Sequence, residues 1–255
     1  MIFNTCGFTI FELPPYMFFT GIGFVIAISI YMLLLLKNKE DISRYIPMYL
    51  FTIPFLILGA KLFGILLNLS EVVYYKLPLN KDVFLKSGIV YYGGLLGMLL
   101  SFYFICKFKD GYLKRSVWDA LAVAIPIFHC FGRIGCFFAG CCYGIEHISP
   151  ISVIYSNYVD GMITTATRLP IQLIEASTNF LLFLCLLTLY IKGKCRGKLL
   201  RIYLACYAPL RIIHEILRAD WNREVFSVLS FSQITSILIL LTLLIIFIKE
   251  RKQKS

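Results

Sequence analysis

Apolar residues run along this chain in long blocks separated by short charged gaps, with little of the alternation or amphipathic spacing of a soluble protein. A helix that crosses a bilayer needs about 20 mostly apolar residues. Seven stretches meet that length: 16–36, 46–67, 88–106, 117–137, 171–191, 199–217 and 225–248. The first and last carry no charge, whereas Lys61, Arg133, and Arg211 with Glu215 interrupt the second, fourth and sixth. The pattern predicts an all-α integral membrane protein of seven transmembrane helices, forming a single domain over residues 1–255. Near Met1 there is no basic flank and no A-x-A cleavage site, so no removable signal peptide is expected. No internal repeat occurs, which removes the usual mark of an inverted-repeat transporter.

Composition agrees with this reading. Hydrophobic residues make up 59% of the chain and charged residues 15%, with mean hydropathy +0.81. Soluble domains carry about 45–50% and about 25% respectively, so soluble-enzyme, disordered and collagen-like readings fail. A net charge of +11 raises the question of nucleic acid. The basic residues, however, sit in the gaps between apolar blocks, as topology signals do. The gaps 37–45, 107–116 and 192–198, with Arg201 and the tail 249–255, hold 16 Lys and Arg against 6 in the opposite set. That bias predicts the N-terminus outside and the C-terminus in the cytoplasm, with no nucleic-acid partner.

Ionisable groups inside spans are expensive and mark functional sites by default. Arg211, Glu215 and Arg218 recur at i, i+4 and i+7, on one helical face, with His214 beside them. They read either as an ion pair that locks packing or as a surplus of positive charge for a phospholipid phosphate. The segment 129–144, HCFGRIGCFFAGCCYG, is the most unusual in the chain. Its glycines predict a broken helix around Arg133, whose guanidinium fork matches phosphate oxygens; snorkelling to headgroups is the alternative. Cys130, Cys136, Cys141 and Cys142 lack the paired C-x₂₋₄-C spacing of zinc sites, so no metal is expected, and any disulfide pairing stays open. Cys6, Cys106, Cys185, Cys195 and Cys206 read as small buried hydrophobes. In SGIVYYGGLLG (87–97), the G-x-x-x-G spacing of Gly93 and Gly97 reads as helix packing. Tyr92 there is a candidate phosphate donor or proton carrier, or a member of an aromatic belt.

Together these segments resemble the prolipoprotein diacylglyceryl transferase family, from about Tyr16 to Asp220. The family's H-G-G-L-x-G appears as Tyr92-Gly93-Gly94-Leu95-Leu96-Gly97, and its G-R-x-G-N-F-x-N-G-E-x-x-G runs from Gly132 to Gly144. Its R-x-P-x-Q-L-Y-E runs from Arg168 to Glu175, a closing motif matches Arg211, Glu215 and Arg218, and Tyr16 falls at an essential tyrosine. The resemblance implies seven spans in a bacterial cell membrane, no cofactor, and transfer of diacylglyceryl from phosphatidylglycerol to the lipobox cysteine of prolipoproteins. It implies Tyr92, Arg133, Arg211 and Glu215 as catalytic residues. Tyr16, Gly93, Gly94, Arg133, Cys136, Cys141, Gly144 and Arg218 then contact the lipid or the signal peptide. The departures are specific. Tyr92 replaces the family histidine, Cys136 and Ala139 replace two asparagines, and Cys141 replaces an acidic residue. The phosphate-handling residues are kept and the acid–base residues are changed. A paralogue acting on another acceptor, or a non-catalytic anionic-lipid binder, are the competing readings.

The charge bias generates a direct test. Reporter fusions after Lys37, Lys114 and Lys198 should report cytoplasm, and fusions at Leu79 and Asn157 the exterior. A cytoplasmic signal at Asn157 would overturn the orientation.

Overall fold

A computed structural model describes residues 2–4, 10, 13–44, 46–75, 91–108, 115–159, 162–219 and 229–253. Among them run seven α-helices: α1 Pro15–Lys37, α2 Ile46–Tyr75, α3 Tyr91–Phe108, α4 Arg115–Phe138, α5 Ile171–Ile191, α6 Leu199–Ile216 and α7 Phe231–Lys252. Each apolar block thus contains one helix. The second helix continues past residue 67 to Tyr75, and the last begins at Phe231 rather than at 225. Residues 88–90 and 225–228 of the expected spans lie outside the described residues.

Helices α1, α4, α5 and α7 are long and apolar enough to cross a membrane, and α2 and α3 contain the shorter apolar stretches Leu50–Leu66 and Gly93–Ile105. Large apolar side chains such as Val25 and Leu33 on α1, and Leu241 and Phe247 on α7, remain exposed. In water so extended an apolar surface would drive association; against acyl chains it is matched to its solvent. The chain is built as a membrane protein.

A small sheet is the feature that apolar blocks alone did not foretell. Strands β1 Ile2–Asn4, β2 Val153–Val159 and β3 Met162–Arg168 lie in the order β1-β2-β3. β1 runs parallel to β2, with Ile2 opposite Ile154, and β2 runs antiparallel to β3 from Val153–Arg168 to Val159–Met162. The sequence between β2 and β3 is Asp160-Gly161, a strong hairpin signal flanked by β-branched residues.

The chain packs as two compact units: Met1–Leu34, Trp118–Arg223 and Ser232–Ser255 form the first, Leu35–Val117 and Glu224–Phe231 the second. In the second unit α2 packs on α3 through small residues. A Cβ added at Gly93 would strike the Gly59 carbonyl, and one at Gly97 the Phe55 carbonyl. The G-x-x-x-G spacing therefore lets two backbones touch.

In the first unit α4 is the innermost helix. Its apolar stretch is 72% buried, against 28% for α1, 33% for α5 and 17% for α7. No break occurs at its glycines, contrary to the broken helix expected from the sequence. Helical structure passes through Gly132, Arg133 and Gly135 to Phe138, and the chain turns only afterwards, at Gly140 (φ 65°) and Cys142 (φ 60°). A buried helix keeps its backbone bonds satisfied internally, and small residues there serve close packing. An added Cβ at Gly135 would lie 3.1 Å from the Tyr16 Cα at the start of α1.

Asp119 of α4 fixes the entry of α6. Its carboxylate accepts from the Gly197 N–H at 2.5 Å and the Leu199 N–H at 3.0 Å, supplying partners for helix-start donors that otherwise lack them. Asp119→Ala should cost about 1–2 kcal/mol, the range for loss of a helix cap, seen as a lower melting temperature in detergent. An unchanged melting temperature would show that the contact does not stabilise.

Candidate active site

The site of the first unit begins with a polar stripe on α5. Gln172, Glu175 and Asn179 recur at helical spacing and are all buried, with Glu175 1% exposed. Asn179 Nδ2 and Thr178 Oγ1 both donate to the Glu175 backbone carbonyl, at 2.7 Å and 3.0 Å, which fixes this turn of helix. α6 offers a second buried stripe, Tyr203, Tyr207, Arg211 and His214, on the face opposite its exposed residues. From α4 come His129 and Arg133, one turn apart.

Glu175 joins these helices. Its Oε2 lies 2.5 Å from Arg133 Nε, and its Oε1 accepts from Arg211 Nη1 at 3.1 Å. Arg211 Nη2 also donates to Glu215 Oε2, and to Ser232 Oγ of α7 at 3.3 Å. Arg218 Nη1 lies 4.0 Å from the same Glu215 oxygen. Arg218 sits just past the end of α6, where it forms a β-bridge with Gly144. The result is a chain of alternating charge, Arg133–Glu175–Arg211–Glu215–Arg218, with every side chain at most 9% exposed. Among the described residues, three guanidiniums meet two carboxylates in this chain.

Arg133 spends only one edge of its guanidinium. Nε serves Glu175 and also points at His129 Nε2, 3.3 Å away, which accepts. Among the described residues the two Nη groups take no partner, leaving the fork that binds oxyanions bidentately unspent.

The loop after α4 is tied down beside this chain. Gly144 N–H donates to the Leu169 carbonyl, Ile145 N–H to the Leu217 carbonyl and Ala219 N–H to the Tyr143 carbonyl, at 3.0, 3.0 and 3.2 Å. Gly144 is required by this approach, because a Cβ there would sit 2.6 Å from the Leu169 carbonyl oxygen. Gln172 Nε2 donates to the Cys141 carbonyl at 2.7 Å and its Oε1 accepts from Tyr155 at 3.2 Å. Burial pushes the Tyr155 hydroxyl up to about 12, against the opposing pull of Gln172.

Of the residues expected from sequence, Arg133, Arg211, Glu215 and Arg218 therefore meet in one network, and Tyr16, Cys136, Cys141 and Gly144 surround the end of α4. Gly93 and Gly94 lie on α3 in the second unit, against α2. Tyr92 opens the same helix, but its side chain, like Asp220, lies outside the described residues. Three cysteines depart from expectation: Cys185, Cys195 and Cys206 are exposed, not buried. Two occupy outward helix faces and the third the 192–198 turn, where the packing supplies no cover.

The central residue, Glu175, was quoted within a motif but given no role. One signal could have singled it out: it is the only Asp, Glu, Lys or Arg in the 21-residue helix Ile171–Ile191.

The profile of the prolipoprotein diacylglyceryl transferase family matches residues 5–249. The chain belongs to this family. It is 31% identical over 253 residues to a phosphatidylglycerol–prolipoprotein diacylglyceryl transferase of Clostridium tetani, covering 97% of this chain and 98% of that one. A second relative of the same name from Clostridium perfringens is 29% identical over 95% and 94% of the two chains. One from Campylobacter jejuni is 28% identical over 96% and 93%. These alignments span nearly the whole chain, so the family covers both units.

The network predicts an asymmetry between its two carboxylates. Glu175→Gln leaves two buried guanidiniums without their shared counter-charge and should cost about 3–5 kcal/mol. Glu215→Gln should cost less, since Arg211 keeps Glu175 and Arg218 stands 4.0 Å from Glu215, against 2.5 Å between Arg133 and Glu175. Thermal unfolding of both variants in detergent checks this, and equal losses would refute the bridging role of Glu175.

Proposed function

We propose that this member of the family transfers the diacylglyceryl group of phosphatidylglycerol to the lipobox cysteine of a prolipoprotein, the first step of bacterial lipoprotein maturation. The substrates follow from the names of its relatives. The observation that carries the chemistry is the unspent Nη fork of Arg133, held by Glu175 in a buried setting.

The acceptor sulfur attacks the terminal glycerol carbon of the diacylglyceryl moiety, the C–O bond to phosphate breaks, and glycerol phosphate leaves. Negative charge builds on the departing phosphate oxygen. Arg133 binds that phosphate bidentately, and Arg211 and Arg218 add field. Preorganised donors of this kind are worth most where water is excluded. Glu175 and Glu215 keep the guanidiniums from reorienting. Tyr92, at the position of the family histidine, is assigned the proton of the acceptor thiol. Tyr16, Gly93, Gly94, Cys136, Cys141 and Gly144 are assigned to lipid or signal-peptide contacts. All seven helices act as one transferase domain in the bacterial plasma membrane, with the N-terminus outside and the C-terminus in the cytoplasm. The 16-to-6 charge bias supports that orientation.

The test is complementation of a transferase-depleted bacterium, with mass spectrometry of a reporter lipoprotein. Appearance of the diacylglyceryl-modified cysteine is expected. Phosphatidylglycerol binding without product would instead identify an anionic-lipid binder. Arg133→Lys keeps the charge but loses the planar fork and should lower the transfer rate about a hundredfold. Transfer near the wild-type rate would remove Arg133 from phosphate recognition.

A further inference from the structure

Three thiols converge where the chain leaves α4. The Sγ atoms of Cys136, Cys141 and Cys142 all lie within 4.8 Å of one another, and none is in a disulfide. Sequence spacing gave no hint of this, because the convergence depends on the turn after the helix. Left-handed backbone at Gly140 and Cys142 folds the loop back. The Cys141 N–H and thiol both reach the Cys136 carbonyl, at 3.2 Å and 3.7 Å. Gln172 and the 217–219 segment hold the loop from the other side. Four zinc–sulfur bonds of about 2.3 Å in a tetrahedron place sulfurs roughly 3.8 Å apart, about an ångström inside the observed limit. Cys136 is buried, Cys142 half-buried and Cys141 exposed, so the cluster is open on the Cys141 side.

We propose that Cys136, Cys141 and Cys142 form a three-thiolate site for a thiophilic divalent cation of the zinc class, with its fourth position open. A bound cation deprotonates coordinating thiols outright.

The open position has a use that rests on the transferase reading above. An acceptor thiol that takes it gives up its proton to water and stays on the metal as thiolate. Its sulfur then forms the new bond to the glycerol carbon while the C–O bond breaks, its electron pair leaving with glycerol phosphate beside Arg133. Arg133 is one helical turn from Cys136. This arrangement relieves Tyr92 of a deprotonation for which a phenol is poorly suited, in a chain that has cysteines at two polar positions of its family's signature.

The full-length protein, reduced and metal-free in detergent, is titrated with Co²⁺ as a spectroscopic probe. Expected are one Co²⁺ per chain, a thiolate-to-cobalt charge-transfer band with the intensity of three thiolates, and displacement by Zn²⁺. Cys142→Ser should remove about a third of the band and weaken binding at least tenfold, whereas Cys185→Ser should change neither. Absence of the band in protein with normal melting overturns the site. So does a disulfide among the three cysteines in protein extracted from membranes without reductant, which would mark a redox pair. In a second arm, chelation should abolish transfer and Zn²⁺ restore it. Metal binding with chelator-insensitive transfer overturns thiol activation alone. Metal binding in a protein with no transfer activity overturns the transferase reading and leaves the metal site standing.

Discussion

The first unit depends on one carboxylate serving two guanidiniums. Glu175 contacts Arg133 of α4 with one oxygen and Arg211 of α6 with the other. Three helices from distant parts of the sequence are thereby held at one point. A buried ion is costly unless paired and hydrogen-bonded, so none of these residues is a free-standing gain in stability. Arg133 depends most on this pairing, since Glu175 is the carboxylate that meets it. Glu215 extends the arrangement to Arg218, and Ser232 extends it to α7.

This economy has a functional consequence. Arg133 meets Glu175 and His129 through Nε alone, which leaves its two Nη groups without a partner among the described residues. A network with paired charges throughout would be a packing device. One with an unspent fork on Arg133 is prepared for an oxyanion, and the low-dielectric setting makes that contact stronger than it would be in water. The same tightness explains why the α4 glycines do not break the helix. Gly135 and Gly144 serve approach distances that a side chain would forbid: Gly135 toward α1, Gly144 toward the Leu169 carbonyl.

The end of α4 brings two chemistries together. Upstream of Phe138 the helix presents Arg133 to the charged network; downstream the loop gathers three thiols. Backbone hydrogen bonds from residues 144–145 and 219 connect this loop to the carbonyls of 169, 217 and 143, and the Arg218–Gly144 bridge closes it. An altered signature motif therefore sits in a well-determined backbone. Cysteines at the family's asparagine and acidic positions change the chemistry on offer while leaving the loop's hydrogen bonding to main-chain groups, which do not depend on side-chain identity.

Sequence alone determined the solvent and the seven helices found among the described residues. Blocks of about 20 apolar residues have few ways to satisfy their backbone in lipid, so seven blocks meant seven helices. It also determined which arginines were too costly to be idle, and ordered motifs were enough to identify the family. What only the tertiary structure decided is the partnership of groups distant in sequence. Periodicity can place Arg211 and Glu215 on one face, because that is a property of a single helix. It cannot place Glu175 between Arg133 and Arg211, which requires the packing of three helices. Nor can spacing gather Cys136 with Cys141 and Cys142, because the intervening turn needs positive φ at Gly140 and Cys142 and anchors from α5. The small sheet divides the same way: the β2–β3 hairpin has a local signal in Asp160-Gly161, whereas the first strand pairs with one about 150 residues away (Ile2 with Ile154) and leaves no local periodic trace.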